Sequence, residues 1–443
     1  MKTDKNKVAD GILADIKHIC KTFGSRNAGG EGEKLTADYF AEELKNCADE
    51  VKKEEFRVNP SAFTGWIPFS VTCALLAIVA YFFSSLVSIL LLIVGVLPVL
   101  TEYLFFVRAI DPLYAEKTSQ NVTAIKRCSE TPEKRIYFVA NMDANFENTI
   151  KYRLGGIMLI VLLVLDFLGA FYFAAISIAR WAFVGGVGAS IVSGPMLYAG
   201  LAGLVFVFPL IASYFLISTK TVVDGANNNL TGCFVASRAL AALKDTEFKN
   251  TEVGVILTGS GAVGLRGSKA WCEAHSGEID RENTVFISLT SLRELGSLNA
   301  NSNEMNGFAR CDKSVNRLVL DSAKNLGLKC ANHRIPFEAS DCATFIQKGF
   351  KSTGICAINT QLPDYYYTRY DSYDNLSAEC IAESYVLVLE IIKSYSGEGG
   401  EFVYENTGRA ESVNADDNST ESSVLPADGA DDESADKPEI KTE

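Results

Sequence analysis

Histidine is scarce in this 443-residue chain, and neither its histidines nor its cysteines are spaced as metal ligands. Its three histidines, His18, His275 and His333, share no ligand spacing, and zinc needs three or more His, Cys, Asp or Glu groups converging on one point. The 11 cysteines include no CxxC pair, and several fall at apolar positions of expected helices or strands. That pattern suits reduced, buried thiols in a cytosolic setting. Cys342, in SDCATF, and His333 are the residues available for a thiol–imidazole nucleophile, although a free cysteine is read first as a small buried hydrophobe. Ser260, in TGSGAVG, lacks the strand–elbow context and histidine partner of a hydrolase nucleophile. What stands out is a pair of glycine-rich segments, DGANNNLTG (Asp224–Gly232) and LTGSGAVGLRGS (Leu257–Ser268), and one carboxylate, Asp166, inside an apolar run.

Hydrophobic periodicity places these segments on an alternation of helices and strands. Helices are expected at 8–23, 33–47, 229–244, 265–275, 315–328 and 377–395, and strands at 51–57, 121–127, 135–140, 252–257, 284–289 and 354–359. Such an alternation implies an α/β fold, a mixed and mostly parallel sheet sandwiched by helices. Sites in such sheets gather at the carboxyl ends of strands, which is where the glycine-rich segments fall.

Two apolar blocks interrupt this fold. Residues 58–101 contain no charge, and 154–219 contain only Asp166 and Arg180. About 20 helical residues cross a bilayer once, so each block is long enough for two passes. If the flanking segments build one soluble domain, each block must return the chain to its starting side. Passes are expected at roughly 66–84, 86–107, 154–178 and 196–218, with a loop from Arg180 to Gly194. The resulting domain boundaries are 1–58, 109–153 and 220–397 for the soluble part, with transmembrane hairpins at 59–108 and 154–219. The soluble-side flanks carry Lys52, Lys53, Arg57, Arg108, Lys117, Lys151, Arg153 and Lys220, whereas the hairpin tips offer only Arg180. By the positive-inside tendency, the chain is a multi-pass cell membrane protein with its soluble domain and both termini cytoplasmic. The N-terminal segment reads as a charged amphipathic helix, not a cleavable leader. Asp166 carries a functional-site hypothesis, its simpler reading being a protonated carboxyl bonded to a Tyr or Ser of a neighbouring pass.

The net charge of −13 is concentrated at one end. Residues 401–443 hold 13 Asp/Glu against 3 Lys/Arg, a balance of −10, so 398–443 reads as an acidic, disordered tail. No basic patch points to nucleic acid.

The strand ends resemble the metal-site loops of the di-zinc aminopeptidase family, which includes leucyl aminopeptidases and glutamate carboxypeptidase-like exopeptidases. The resemblance covers most of the soluble part, from SRNAGGEGEKLTADYFAEEL to YTRYDSYDN. The family's His-x-Asp strand end reads FVANMD here, with Asn141 in the ligand's place and Asp143 kept. Its Gly-Ala-x-Asp-Asn-x-Ser-Gly motif reads GANNNLTG, with Asn228 for the bridging Asp. Its Glu-Glu-x-Gly-Leu-x-Gly-Ser motif reads GAVGLRGS, with Gly261 for the general base and Ala262 for a ligand. Thr290 and Tyr367 stand in the remaining two ligand places, in FISLTSL and YYTRYDS.

The resemblance therefore implies a zinc-exopeptidase-like fold and a site stripped of its ligands and base, with no cofactor where the family holds zinc. Crowded carboxylates without a cation repel and protonate at a cost, which neutral replacements relieve. Asn141, Asp143, Asn228, Tyr367 and Arg369 become candidates for a binding cleft that takes a peptide or protein partner, and a pseudopeptidase acting in binding or scaffolding is the leading reading. An active zinc exopeptidase with displaced ligands, and functional membrane helices centred on Asp166, stand as alternatives.

Overall fold

The structure, a computed structural model, describes residues 4–184, 191–334, 339–361 and 363–397; the expected acidic tail lies outside them. The chain begins with helices α1 (Lys5–Thr22) and α2 (Glu31–Leu44), strand β1 (Glu50–Val58), and helices α3 (Ala62–Tyr81) and α4 (Ser85–Pro98). Strands β2 (Lys117–Lys126), β3 (Lys134–Asn141) and β4 (Phe146–Asn148) precede α5 (Thr149–Val184), α6 (Gly194–Gly203), α7 (Val207–Ser213) and β5 (Ile217–Val222). Next come α8 (Gly232–Ala242), β6 (Thr251–Thr258), α9 (Arg266–His275), β7 (Thr284–Leu292) and the short strands β8 (Leu298–Ala300), β9 (Asn303–Glu304) and β10 (Ala309–Arg310). Helices α10 (Lys313–Asn325) and α11 (Cys342–Gln347), strand β11 (Lys351–Ala357) and helix α12 (Ala378–Ser396) follow.

Seven strands form one mixed sheet in the order β1-β2-β6-β3-β7-β11-β8. The central run β6-β3-β7-β11 is parallel, and the flanking pairs are antiparallel. Successive side chains of a strand point to opposite faces, and β3 shows what each face buries. Ile136, Phe138 and Ala140 face a core shared with α1, α2, α8 and α12. Tyr137 and Val139 face Trp271 of α9 and Phe345 of α11, where Phe345 stacks on Phe286 with ring centroids 4.0 Å apart. Strands β6 and β7 are buried along their whole length, as sheets covered on both faces require.

Four helical segments, Ala62–Tyr81, Ser85–Leu104, Thr149–Phe183 and Gly194–Ser213, are long and apolar enough to cross a membrane. They form two hairpins, and each hairpin starts and ends on paired strands. Val58, before α3, pairs with Lys117; Phe146 and Asn148, before α5, pair with Val222 and Ile217 after α7. Each apolar block thus leaves from and returns to neighbouring, hydrogen-bonded strands.

The helix bounds differ from expectation. α3 starts four residues before the expected 66, because Asn59 anchors its entry by donating from Nδ2 to the Tyr114 carbonyl at 2.8 Å. α4 ends at Pro98 and continues as a wider turn to Leu104, short of 107. α5 starts at Thr149, breaks at Gly155, where φ is 84°, and runs past the expected end at 178. The last expected pass loses its end to β5, which begins at Ile217. Arg180 is not in a loop: it is a buried residue of α5 that donates to the Tyr81 carbonyl at the end of α3, where a cation suits the helix terminus. The part of that expected loop at 185–190 lies outside the described residues.

The first hairpin is locked to the sheet domain by buried charge. Arg266, first residue of α9, donates to Glu102 at 2.9 Å and pairs with Asp111 at 2.8 Å. Lys269 donates to the Phe106 and Gly264 carbonyls. Gly264 sits at φ +91°, and a Cβ there would lie 2.8 Å from the Phe63 ring of α3. Glycine is needed at that position for both its backbone angle and this close approach.

Candidate functional site

The carboxyl ends of β3, β6 and β7 converge on one polar network. Asn141, last residue of β3, donates from Nδ2 to Asp143 Oδ1 at 3.0 Å and accepts at Oδ1 from Asn229 Nδ2 at 3.2 Å. Asn229 also donates to the Leu289 carbonyl at 2.7 Å and accepts from the Ser291 amide at 3.3 Å. Asp143 is fully buried and accepts from the Gly261 and Ala262 amides at 2.9 and 3.0 Å. It therefore ties β3 to the loop after β6 and does not line the cavity described below, contrary to its place among the cleft candidates. Asp371 does the same for the loop before α8, accepting from the Asn227 and Asn228 amides at 2.6 and 3.1 Å. The peptide between Asn228 and Asn229 is cis.

Asn141, Asn228, Gly261, Ala262, Thr290 and Tyr367 do meet, on the wall of one cavity of about 390 Å³. Tyr367 is held there by the Tyr366 hydroxyl at 2.8 Å and by the Asn148 amide, which donates to its carbonyl at 2.8 Å. Arg369 points elsewhere. It forks onto Glu147 at 2.7 and 2.8 Å and lies over the Tyr152 ring at 4.2 Å. The opposite wall of the cavity is apolar and comes from the membrane-length helices, among them Trp66, Val71, Leu159 and Leu163. Asp166 lines it too, accepting from Ser213 of α7.

Two buried residues of this site carry no signal in the glycine-rich motifs. Arg26 donates to the Met142 and Gly225 carbonyls, each at 3.0 Å. Glu33 accepts from the Gly29 amide at 2.7 Å, Ser119 Oγ at 3.0 Å and the Ser260 amide at 2.5 Å. Burial, then the nearby Asp143 charge, pushes the Glu33 carboxyl up to about 8, and burial raises Asp143 to about 6. An unfolded Glu loses its proton near about 4.3. Above that pH the folded chain holds protons that the unfolded chain has released, so stability falls as pH rises. Thermal unfolding from pH 4.5 to 8 is expected to show this decline, and Glu33→Gln is expected to flatten it. The slope is the readout, and an unchanged slope would reject the assignment.

The residues at the family's ligand places do not fit zinc. Amide, hydroxyl and phenol groups replace carboxylates and imidazole, and Ala262 offers no donor atom at all. The base's place is also sterically closed: a Cβ on Gly261 would lie 2.5 Å from Asn141 Cβ. Among the described residues one other group brings three potential ligand atoms within 4.8 Å, Glu304, Cys311 and Cys342. There Glu304 already accepts from Asn301 Nδ2 at 2.8 Å, the Ser340 amide at 2.8 Å and Cys342 Sγ at 3.2 Å. Cys342 is fully buried and His333 exposed, which argues against their acting as a thiol–imidazole pair.

Residues 216–392 match the model of Peptidase family M28. That stretch is similar to a Peptidase family M28 domain. Strands β1 to β3, which precede the matched residues, complete its sheet. The fold is that of zinc aminopeptidases from Bacillus subtilis (BSAP; 12% identity, TM-score 0.52, covering 87% of this chain and 94% of that one) and Aneurinibacillus sp. strain AM-1 (12%, 0.51, 87% and 93%). A Zn-dependent exopeptidase from Parabacteroides distasonis is similar to the same degree (13%, 0.52, 88% and 99%). No curated protein matches the chain.

Proposed function

We propose that this chain is a multi-pass membrane protein whose aminopeptidase-like domain has lost peptidase chemistry and acts by binding or scaffolding. The packing of Gly261 on Asn141 carries the reading. A water-activating carboxylate would have to stand there, and its first side-chain carbon has no room. The polar groups that remain bond one another across three strand ends, which makes a stable frame and puts no carboxylate at the base's place. The four apolar helices support the membrane placement, and the cationic flanks of the hairpins favour a cytoplasmic soluble domain. The cleft then takes a partner and holds it without hydrolysis.

The displaced-ligand alternative has Glu304, Cys311 and Cys342 to draw on. These residues are buried and do not line the cavity; Ser340, which does, donates from its amide to Glu304 at 2.8 Å. The test is hydrolysis of aminoacyl and peptide substrates by detergent-purified protein supplied with zinc or cobalt. No turnover above the metal-only control is expected. Chelator-sensitive turnover that scales with protein would end the non-enzymatic reading.

A further inference from the structure

The cavity over Asn141 has two chemically different ends. At one end stand Asn141, Asn228, Thr290, Ser340 and Tyr367, all uncharged; at the other are apolar residues of α3, α4 and α5. We propose that it binds a single-chain membrane amphiphile with an uncharged, hydroxyl-bearing head. The head sits against Asn141, Asn228 and Thr290, and the chain lies between α3, α4 and α5. This deepens the binding role above and rests on the membrane reading of the four helices.

Three observations select that ligand. First, Val96, Ile160 and Phe167 line the cavity yet are 43%, 41% and 63% exposed, far more than a closed cavity would leave them. With α4 and α5 in a bilayer, the opening meets acyl chains, so lipid is the abundant candidate there. Second, the wall from α3, α4 and α5 is mostly apolar and offers few partners for backbone N–H and C=O groups. A peptide laid along it would leave most of those groups unpaired, at a cost that a hydrocarbon chain does not incur.

Third, the lining includes two carboxyl residues, Asp341 beside the polar end and Asp166 on the opposite wall. An anionic head is repelled by a carboxylate there, whereas an uncharged head that hydrogen-bonds to Asn, Thr and Tyr groups is not. Lys151, the cation on the wall, is held by the Tyr366 carbonyl at 2.8 Å and does not offset them freely. A volume of about 390 Å³ suits one chain and a small head better than two chains, and it falls in the usual range of small-molecule sites, roughly 300–1,000 Å³.

The full chain in lipid nanodiscs is photolabelled with a diazirine analogue of decanoylglycerol, and the labelled residues are mapped by mass spectrometry. Saturable labelling is expected at Trp66, Leu159 and Leu163, displaced by unlabelled decanoylglycerol and not by decanoate. Filling the apolar end with Leu163→Trp, or more gently with Ala170→Leu, is expected to cut cavity labelling about tenfold or more. Labelling at the outward-facing Ile157 and Phe171 should persist, and unchanged melting of either variant shows that the fold is intact. Labelling confined to outward-facing residues, or indifferent to both variants, overturns the proposal. So does displacement by an apolar peptide and not by decanoylglycerol, a result that leaves the non-enzymatic reading standing. Zinc-dependent hydrolysis would remove the non-enzymatic reading without changing where the label falls.

Discussion

Replacing Arg266 with alanine is expected to lower the stability of the folded chain by about 3–5 kcal/mol, the usual cost of stranding a buried charge. Both Arg266 and Glu102 side chains are almost fully buried, at 3% and 1% exposure. Glu102 keeps the Ala109 and Ile110 amides as donors at 2.6 and 3.0 Å, but these do not neutralise it. Asp111 loses its only guanidinium contact among the described residues at the same time. Arg266→Lys is expected to recover part of the loss, since an ammonium keeps the charge without the fork that reaches both carboxylates. Thermal unfolding of the detergent-purified variants measures both effects. An alanine variant as stable as the parent would show that the Arg266 cluster does not hold the first hairpin.

Gly261→Glu carries the second large effect. The new Cβ meets Asn141 Cβ at 2.5 Å, and Asn141 cannot step aside without giving up Asp143 and Asn229. Overpacking of a filled site costs about 1–3 kcal/mol. The added carboxyl also arrives beside Asp143, which burial already pushes up to about 6, so the real loss lies at the upper end of that range or above it. Restoring the other family residues with it, Asn141→His, Asn228→Asp, Ala262→Glu, Thr290→Asp and Tyr367→His, is expected to give no zinc-dependent turnover. Recovery of turnover in that set would mean that the frame had kept room for the base.

The strand alternation, the glycine-rich loops and the two apolar blocks were legible because each is a local pattern. Periods of two and of 3.6 residues, and runs without charge, need no partner to be recognised. The anchors were not legible in the same way. Glu33 meets Ser260 across 227 positions, and Arg266 meets Glu102 across 164. In GLRGS the arginine occupied a position that the family pattern leaves free, so nothing local marked it as a lock.

The pass ends failed for related reasons. Ile217–Val222 continues an apolar block in sequence but leaves it to pair with β4. Arg180 looked like a loop marker until the Tyr81 carbonyl supplied its partner. Of the cleft candidates, those whose side chains end at the cavity were found from the strand-end logic. Arg369 was misplaced because the acidic partner that turns it away, Glu147, lies 222 positions earlier.

Zinc content per chain, measured by inductively coupled plasma mass spectrometry, tests the central claim most directly. The protein is purified in detergent and equilibrated with zinc, beside a Cys311→Ser/Cys342→Ser variant that removes the thiols of the one other candidate cluster among the described residues. Lost ligands at Asn141, Asn228, Ala262, Thr290 and Tyr367 predict that the double variant retains no tightly bound zinc, whatever the parent holds. About two tightly bound equivalents in that variant would place metal at the strand ends and contradict the account.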